Sequence, residues 1–405
     1  MKICVLGAGV IGVSTAYALG RLGHEVTVID KAANVAAGAS HANGAQLSYS
    51  YIDPLASPAT LKKLPSYLLG RDKALSLRFA PNINYMLWGL SFLRNCSAAR
   101  FASNRADRHV LAELSREALA SFERDMPGGF TPTGRGKLVL AQSQAEHDAM
   151  KADKGFVSKQ RCFETEPHLA SWTGPIWGGI YAQDDCALNT LTYCQTLTTA
   201  GENKFGVRYC FHETITKITS HQGQVTGVVT DKSVHHADRV IMCLGNEALT
   251  LLKPLGIKLP IYAGQGYSLT LNATPASPKV SVTDLKNKIV YANLGDKVRI
   301  AGFVDVNQRA SKIEERLNLL LETAQQNWPD AADFNGPIER WTGLRPMTPS
   351  GVPFIGPSAV EGLYLNLGHG SLGYTFAAGS AMKIAESIGH VQKNTTGSEE
   401  HHNAA

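Results

Sequence analysis

The first twelve residues, M-K-I-C-V-L-G-A-G-V-I-G, constrain this chain more than any other stretch. Lys2–Leu6 reads as a short apolar strand, Gly7 to Gly12 as a glycine turn, and the residues to about Leu22 as a helix. A second strand, Glu25–Ile29, stops at Asp30. Strand, G-x-G-x-x-G, helix and a terminal carboxylate in this order form the βαβ unit that binds a dinucleotide. Gly7 permits the tight turn, Gly9 lets a pyrophosphate approach the backbone, and Gly12 lets the helix pack on the strand. Val10 and Ile11 open the helix, whose N-terminus faces the phosphates. Asp30 offers a ribose diol its acceptors, with Lys31 beside it. The motif alone leaves NAD and FAD both open.

The rest of the chain bears on that choice. The small, polar loop Gly38–Gln46 follows the second strand and places Ser40, His41, Asn43, Gly44, Ala45 and Gln46 along a long cofactor. Ala237–Leu244 is another strand that ends on glycine, giving Cys243 and Gly245 as contacts, with Ile215 ahead of it. Gly362–Gly368 repeats the form and runs through His369, Gly370, Ser371, Leu372, Gly373, Tyr374 and Thr375 into a small-residue helix to about Gly389. Three separated segments thus look like parts of one nucleotide domain. An NAD domain is usually contiguous, so an extended FAD gathering contacts from both chain ends fits better.

At 405 residues, 44% hydrophobic and 18% charged, the chain has material for more than one domain and the balance of a globular enzyme. A net charge of +5 is too weak to argue for nucleic acid. The charge is uneven: residues 60–110 carry nine Lys or Arg against Asp72 and Asp107. Within them Asn84–Arg94 crowds aromatics and leucines into a helical pattern. Such a helix either faces the core with a solvated basic rim or lies on an anionic membrane surface. Seven scattered cysteines without C-x-x-C read as free thiols in a reducing compartment. The chain opens directly on a strand, without a signal-like segment or an apolar run long enough to span a bilayer. The expectation is a cytoplasmic protein, with peripheral contact to the inner face of the cell membrane as the alternative that the basic segment raises. No metal site is expected: His235-His236 has no third ligand nearby in sequence and reads as a solvated strand end. Residues 393–405 read as a flexible tail.

Near the C-terminus lies W-T-G-L-R-P-M-T-P-S-G-V-P-F-I-G, Trp341 to Gly356, rigid with Gly and Pro and holding a single charge, Arg345. With S-H-A-N-G-A-Q, G-Y-S-L-T (Gly266–Thr270) and L-G-H-G-S-L-G-Y-T (Leu367–Thr375), it carries a family resemblance. From Met1 to about Val391 the chain resembles the D-amino acid oxidase superfamily of flavoproteins, and within it the bacterial D-amino acid dehydrogenase small-subunit group. It departs from that pattern at Ser350 and Gln265, where relatives often have Asp and Lys.

The resemblance implies a mixed α/β (α+β) fold: a Rossmann-like FAD-binding domain interleaved with a substrate domain on a mixed, largely antiparallel sheet. The expected division is 1–50, 187–250 and 338–392 for FAD, and 51–186 and 251–337 for substrate. It also implies noncovalent FAD and oxidative deamination of a D-amino acid. A hydride passes from substrate Cα to flavin N5, a 2-oxo acid and ammonia leave, and electrons go to a quinone or other acceptor. Arg345 is expected to grip the substrate carboxylate, since a planar fork of N–H donors suits it bidentately. Tyr267 is a candidate to add a hydroxyl to that carboxylate, and Tyr51 to line the pocket. His369 would shape it or, with the N–H groups that follow, stabilise charge at the flavin pyrimidine end. Two alternatives stand beside this: an amino acid or secondary amine oxidase that uses O2, D-proline and D-hydroxyproline included, and an electron-transfer flavoprotein subunit.

Overall fold

In the N-terminal strand, Lys2–Leu6, successive side chains point to opposite faces, and both faces are buried. Ile3 and Val5 meet the helical layer through Val13, Tyr17 and Leu19, while Cys4 and Leu6 meet Ile218, Val225 and Val228 on the other side. A strand covered on both faces must be apolar throughout, which is why this one reads as a continuous run. The computed structural model describes residues 1–70, 72–78, 82–307 and 310–397, with side chains as far as Gly389. Arg71 of the basic segment and residues 398–405 of the expected tail lie outside the described residues.

Among the described residues, Lys2–Leu6 sits inside a six-stranded sheet. Its order is Phe354–Pro357, Leu363–Leu367, Arg239–Met242, Lys2–Leu6, Glu25–Ile29, Arg208–Cys210. All pairings are parallel except that of the outer strand Phe354–Pro357. Helix Val10–Arg21 packs against Thr190–Phe205 and Gly373–Gly397 on one face. The antiparallel hairpins of Ile215–His221, Gln224–Thr230 and Val234–His236 close the other.

The second large sheet is mixed and mostly antiparallel. Its main path runs Glu339–Met347, Tyr262–Asn272, Lys297–Val306, Ile289–Asn293, Ser281–Asp284, Gly134–Ala141, Gly178–Ala187, Gln46–Leu47. The register opposes Gly264 to Arg345 and Tyr267 to Thr342, which places both motifs on neighbouring strands. Helix Ile313–Asn327, with the bounds that its apolar spacing predicts, covers this sheet through Leu317, Leu320 and Ala324.

Three segments sit differently from the division read in the sequence. Gln46–Leu47 and Glu339–Met347, both assigned to the FAD side, are strands of the second sheet. Helix Ala98–Asp125, inside the 51–186 segment, buries Ala118 and Phe122 in the core of the first helix and packs on Gly373–Gly397. There a Cβ on Gly379 would come within 2.7 Å of the Ser115 backbone. Arg345, in the stretch rich in Gly and Pro, lies on an extended strand that ends at Met347.

Candidate active site

One cavity of about 1010 Å³ runs between the two large sheets. At one end it is bordered by Gly7, Gly9, Val10, Ile11, Asp30, Lys31 and Ser40, and by Ile215, Cys243 and Gly245. Gly12 borders helix and strand instead: a Cβ there would stand 1.8 Å from the Gly7 carbonyl oxygen, so only glycine admits the close crossing. Gly9 caps helix Val10–Arg21 without a side-chain bond, leaving the helix entrance open to an anion. The Val10 N–H donates to Ser40 Oγ at 3.0 Å, which draws the following loop over that entrance. Asp30 accepts from Ala8 N at 2.7 Å and Ala32 N at 2.8 Å and keeps acceptor capacity towards the cavity. Lys31 pairs with Glu247 at 2.8 Å.

The loop continues as a wall of backbone through Asn43, Gly44, Ala45 and Gln46. Its shape is set from within. Asn43 Oδ1 accepts from Ala45 N and Thr190 Oγ1, both at 2.8 Å, and this holds Ala45 at φ +53°. Gln46 Nε2 donates to Ser281 Oγ at 3.0 Å. These two side chains therefore build the wall rather than reach across it. Besides Gly12, two expected contacts do not border the cavity. His41 faces Glu339, 3.4 Å away at the surface. Thr375 is buried and joins the final helix to the loop, accepting from Ser48 N and donating to Gln46 O.

Gly368, His369, Gly370, Ser371, Leu372, Gly373 and Tyr374 close the cavity from the C-terminal side. His369 is buried, and no partner lies within hydrogen-bonding distance of its Nε2. Burial pushes the imidazole down to about 3, so it is neutral at physiological pH. A buried nitrogen left bare beside a cavity is what a site built for a polar ligand presents.

Arg345 enters from the edge strand. Its guanidinium lies across Gly266, where a Cβ would come within 2.4 Å of Cζ. One arm donates to the Phe303 carbonyl at 2.9 Å. Burial lowers the group to about 10, opposed by nearby Asp305, and it stays cationic at neutral pH. The rest of the fork borders the cavity. Tyr267 differs from expectation. Its ring lines the cavity, but its hydroxyl donates to Asp305 Oδ2 at 2.8 Å, a carboxylate that Arg316 also holds with two bonds. The hydroxyl is committed to that network, so Tyr267 acts as a wall beside Arg345. Tyr51 borders the cavity while 46% exposed, and the Lys137 ammonium stands 5.4 Å from its ring centre.

Four groups escaped the sequence reading. Ser48 donates to Asp185 at 2.7 Å, and Asp185 also takes the Tyr49 N–H, fixing the chain just before Tyr51. Lys137, buried on the strand Gly134–Ala141, donates to Ser48 Oγ at 3.0 Å and borders the cavity. Arg108, from the middle of helix Ala98–Asp125, borders it too. A short strand whose one lysine precedes a continuous apolar run, and a polar helix with five arginines, give no periodic signal that singles these out. Elsewhere, His235 lies 2.8 Å from Glu213, and with Cys210 their ligand atoms fall within 4.8 Å of one another. Glu213 is already bonded to Thr230 and Ser233.

The residues fit the expected FAD: a helix entrance that lacks an N-cap side chain beside Asp30, a backbone-walled channel and an unpartnered buried imidazole lie along one continuous space. Comparison with known proteins agrees. Residues 2–387 match the family described as DAO, FAD dependent oxidoreductase. The chain is 35% identical over 407 residues to a D-amino acid dehydrogenase of Rhodopseudomonas palustris, covering 97% of this chain and 95% of that one. It is 36% identical to D-amino acid dehydrogenase 2 of Pseudomonas aeruginosa, with 96% and 95% covered. Among solved structures, glycine oxidase from Bacillus cereus superposes with a TM-score of 0.70 at 19% identity, over 96% of this chain and 97% of that one. L-proline dehydrogenase from P. horikoshii gives 0.68 at 16%, over 96% and 92%. These two share the fold.

Proposed function

The chain belongs to the DAO family of FAD dependent oxidoreductases, and from that premise we propose that it oxidatively deaminates D-amino acids, with Arg345 holding the substrate carboxylate. FAD, when bound, supplies the hydride acceptor. The observation that carries the reading is a half-buried guanidinium bordering the cavity, with one arm tied to the Phe303 carbonyl and no carboxylate bonded to it. A charged fork in a dry site binds a carboxylate strongly and in one orientation. The Gly7–Val10 turn, Asp30 and the 40–46 loop would hold the nucleotide, and His369 with Gly370–Tyr374 the flavin end.

The chain's own contribution is then positioning. Of the carboxylates that border the cavity, Asp30 and Glu247 stand at the nucleotide end, and Asp53 is held by Arg105 at 2.8 Å. His369 is neutral and Tyr267 is already bonded. The proton that must leave the substrate amine is therefore lost before the substrate settles, and Arg345 fixes which Cα–H faces the acceptor. Anaerobic bleaching of the holoenzyme with a panel of D- and L-amino acids tests this. Selective bleaching by D-amino acids is expected; none by any amino acid would remove the substrate assigned to Arg345. Slow recovery in air would support a quinone or similar acceptor, and fast recovery with peroxide the oxidase alternative.

A specific observation favours a membrane-borne acceptor. Helix Ile83–Asn95 exposes Ile83, Met86, Leu87, Leu90 and Leu93, spaced for one face, with Arg94 and Arg100 close by in sequence. Trp88 and Phe92 cover the opposite side. An apolar stripe rimmed by cations suits an anionic bilayer surface. Among the described residues no helix is long and apolar enough to cross a membrane. The protein would work on the cytoplasmic side, in peripheral contact with the membrane and its quinone.

A further inference from the structure

Arg108 has no part in the function proposed above, yet it is among the least expected side chains of the cavity wall. It is 6% exposed and borders the same space as Arg345. Among the described residues it makes no hydrogen bond and no ion pair, and its Nε is buried without a partner. Its neighbours explain its position but not its charge. The guanidinium sits 5.7 Å from the Phe376 ring, and a Cβ on Gly351 would stand 2.4 Å from one of its terminal nitrogens. Asp53 is the carboxylate whose field reaches it, and that group is bonded to Arg105 instead.

An arginine so buried and unpaired destabilises a fold, because water is lost and nothing replaces it. Structural arginines in this molecule show the contrast. Arg316 holds Asp305 with two bonds and the Lys73 carbonyl with a third, and Arg299 is bonded to Thr270 and to the Asn43 carbonyl. Arg108 has no such set of acceptors. A second buried cation borders the cavity: Lys137, 5.4 Å from the Tyr51 ring centre, whose one hydrogen bond goes to Ser48 Oγ. The cavity border thus carries two buried cations besides Arg345: Lys137, whose charge is offset by Asp185 through Ser48, and Arg108, which has no acceptor of its own.

We propose that Arg108, supported by Lys137, forms a second anion-binding subsite, so that the cavity takes a substrate with two separated anionic groups. Resting on the deaminase reading, this names the substrate class as acidic D-amino acids. Arg345 holds the α-carboxylate and Arg108 the side-chain carboxylate. Two forks at separate points also fix the chirality at Cα, since only one enantiomer reaches both with its hydrogen towards the acceptor.

The test uses the FAD-loaded protein under anaerobic conditions and measures the rate of flavin bleaching by D-glutamate, D-glutamine, D-aspartate and D-alanine. D-glutamate and D-glutamine have the same shape and differ in charge. Loss of one charged hydrogen-bond partner corresponds to about ten- to a hundredfold in kcat/KM, so D-glutamate is expected to exceed D-glutamine by at least that factor. Arg108→Met is expected to erase the difference while changing the D-alanine rate little. Its melting temperature should be no lower than wild type, because the variant removes an unpaired buried charge. Arg108→Lys should restore part of the preference. Equal rates for D-glutamate and D-glutamine in the wild type would overturn the proposal. So would a uniform loss for all substrates in Arg108→Met with weakened sulfite binding to the flavin, which would assign the guanidinium to the cofactor. A parallel titration with glutarate and butyrate, read by the flavin absorbance, separates the two readings. Glutarate binding that needs Arg108, with no amino acid bleaching the flavin, would uphold the subsite and sink the deaminase.

Discussion

At the scale of single residues, the site is a set of polar groups whose partners are missing from the chain itself. Arg345, with one arm bonded to Phe303 and no carboxylate of the chain bonded to it, is the case that bears most directly on substrate. Arg345→Met removes both charge and fork, and Arg345→Lys keeps charge alone. Loss of a bidentate charged contact made to substrate corresponds to roughly a hundredfold or more in kcat/KM, with most of it retained as a deficit in the lysine variant. Flavin reduction rates over a range of substrate concentrations check this, and a lysine variant with near wild-type KM would count against the clamp. His369 gives a pH signature. Its pKa in the fold is about 3, below the ordinary 6.5, because burial disfavours the cation. As pH falls below 6.5 the unfolded chain takes up a proton that the folded chain refuses, so stability is lost through that window by up to about 1.4 kcal/mol per pH unit. Above 6.5 the contribution is complete. His369→Asn should therefore lose less stability than wild type on going from pH 6.5 to pH 5, by roughly 1.6 kcal/mol. Denaturant titrations at the two pH values measure it, and parallel losses would show that the imidazole does not titrate as argued.

Among the elements, helix Ile83–Asn95 is the one whose packing leaves most unexplained. Its inner face is settled by Trp88, whose indole donates to the Met347 carbonyl at 2.9 Å, so the helix is anchored beside the strand that carries Arg345. Its outer face leaves Ile83 66%, Leu87 57% and Leu90 55% exposed. Leu87→Asp with Leu90→Asp changes only that face. Binding to anionic vesicles at low salt is expected in the wild type and should fall at least tenfold in the double variant, since two leucines contribute about 3 kcal/mol or more when buried in lipid. Dye-coupled turnover in detergent-free buffer should be unchanged. Absence of vesicle binding by the wild type would leave the stripe to some other partner. Both faces of this helix were visible in the sequence as a pattern, but which face met the protein was not, because the leucine face and the aromatic face are both apolar. The same limit explains Glu339–Met347. Gly343 and Pro346 argue against a regular strand by propensity, yet antiparallel pairing with Tyr262–Asn272 extends it through both. The N-terminal βαβ unit was legible because its signals are local: spacing, glycines and a terminal carboxylate within one short stretch. Arg108 and Lys137 were not, since what sets them apart is a missing partner in space.

At the scale of the whole molecule, the cavity has no single owner in the chain. Residues from the first turn, the 40–55 segment, several helices and both large sheets border it, and the C-terminal helix begins on its wall. The middle-chain helix Ala98–Asp125 shares a core with the first helix while presenting Arg108 to the cavity. Such interleaving couples the two sheets: neither can unfold without opening the space between them. FAD bound there should act as part of the shared core. At a concentration about a thousandfold above its Kd, a ligand that binds only the native state adds about 4 kcal/mol. If the site belonged to the nucleotide sheet alone, removing FAD would split the unfolding into two transitions, the second sheet keeping its own. Since the walls come from both, the apoprotein should melt earlier in one cooperative step, with the 38–48 loop and the 341–346 strand gaining protease sensitivity together. Calorimetry and limited proteolysis of holo and apo protein make the comparison. Two resolved transitions in the apoprotein, with only the 38–48 loop exposed, would mean that the interleaving seen in the chain trace does not extend to the energetics.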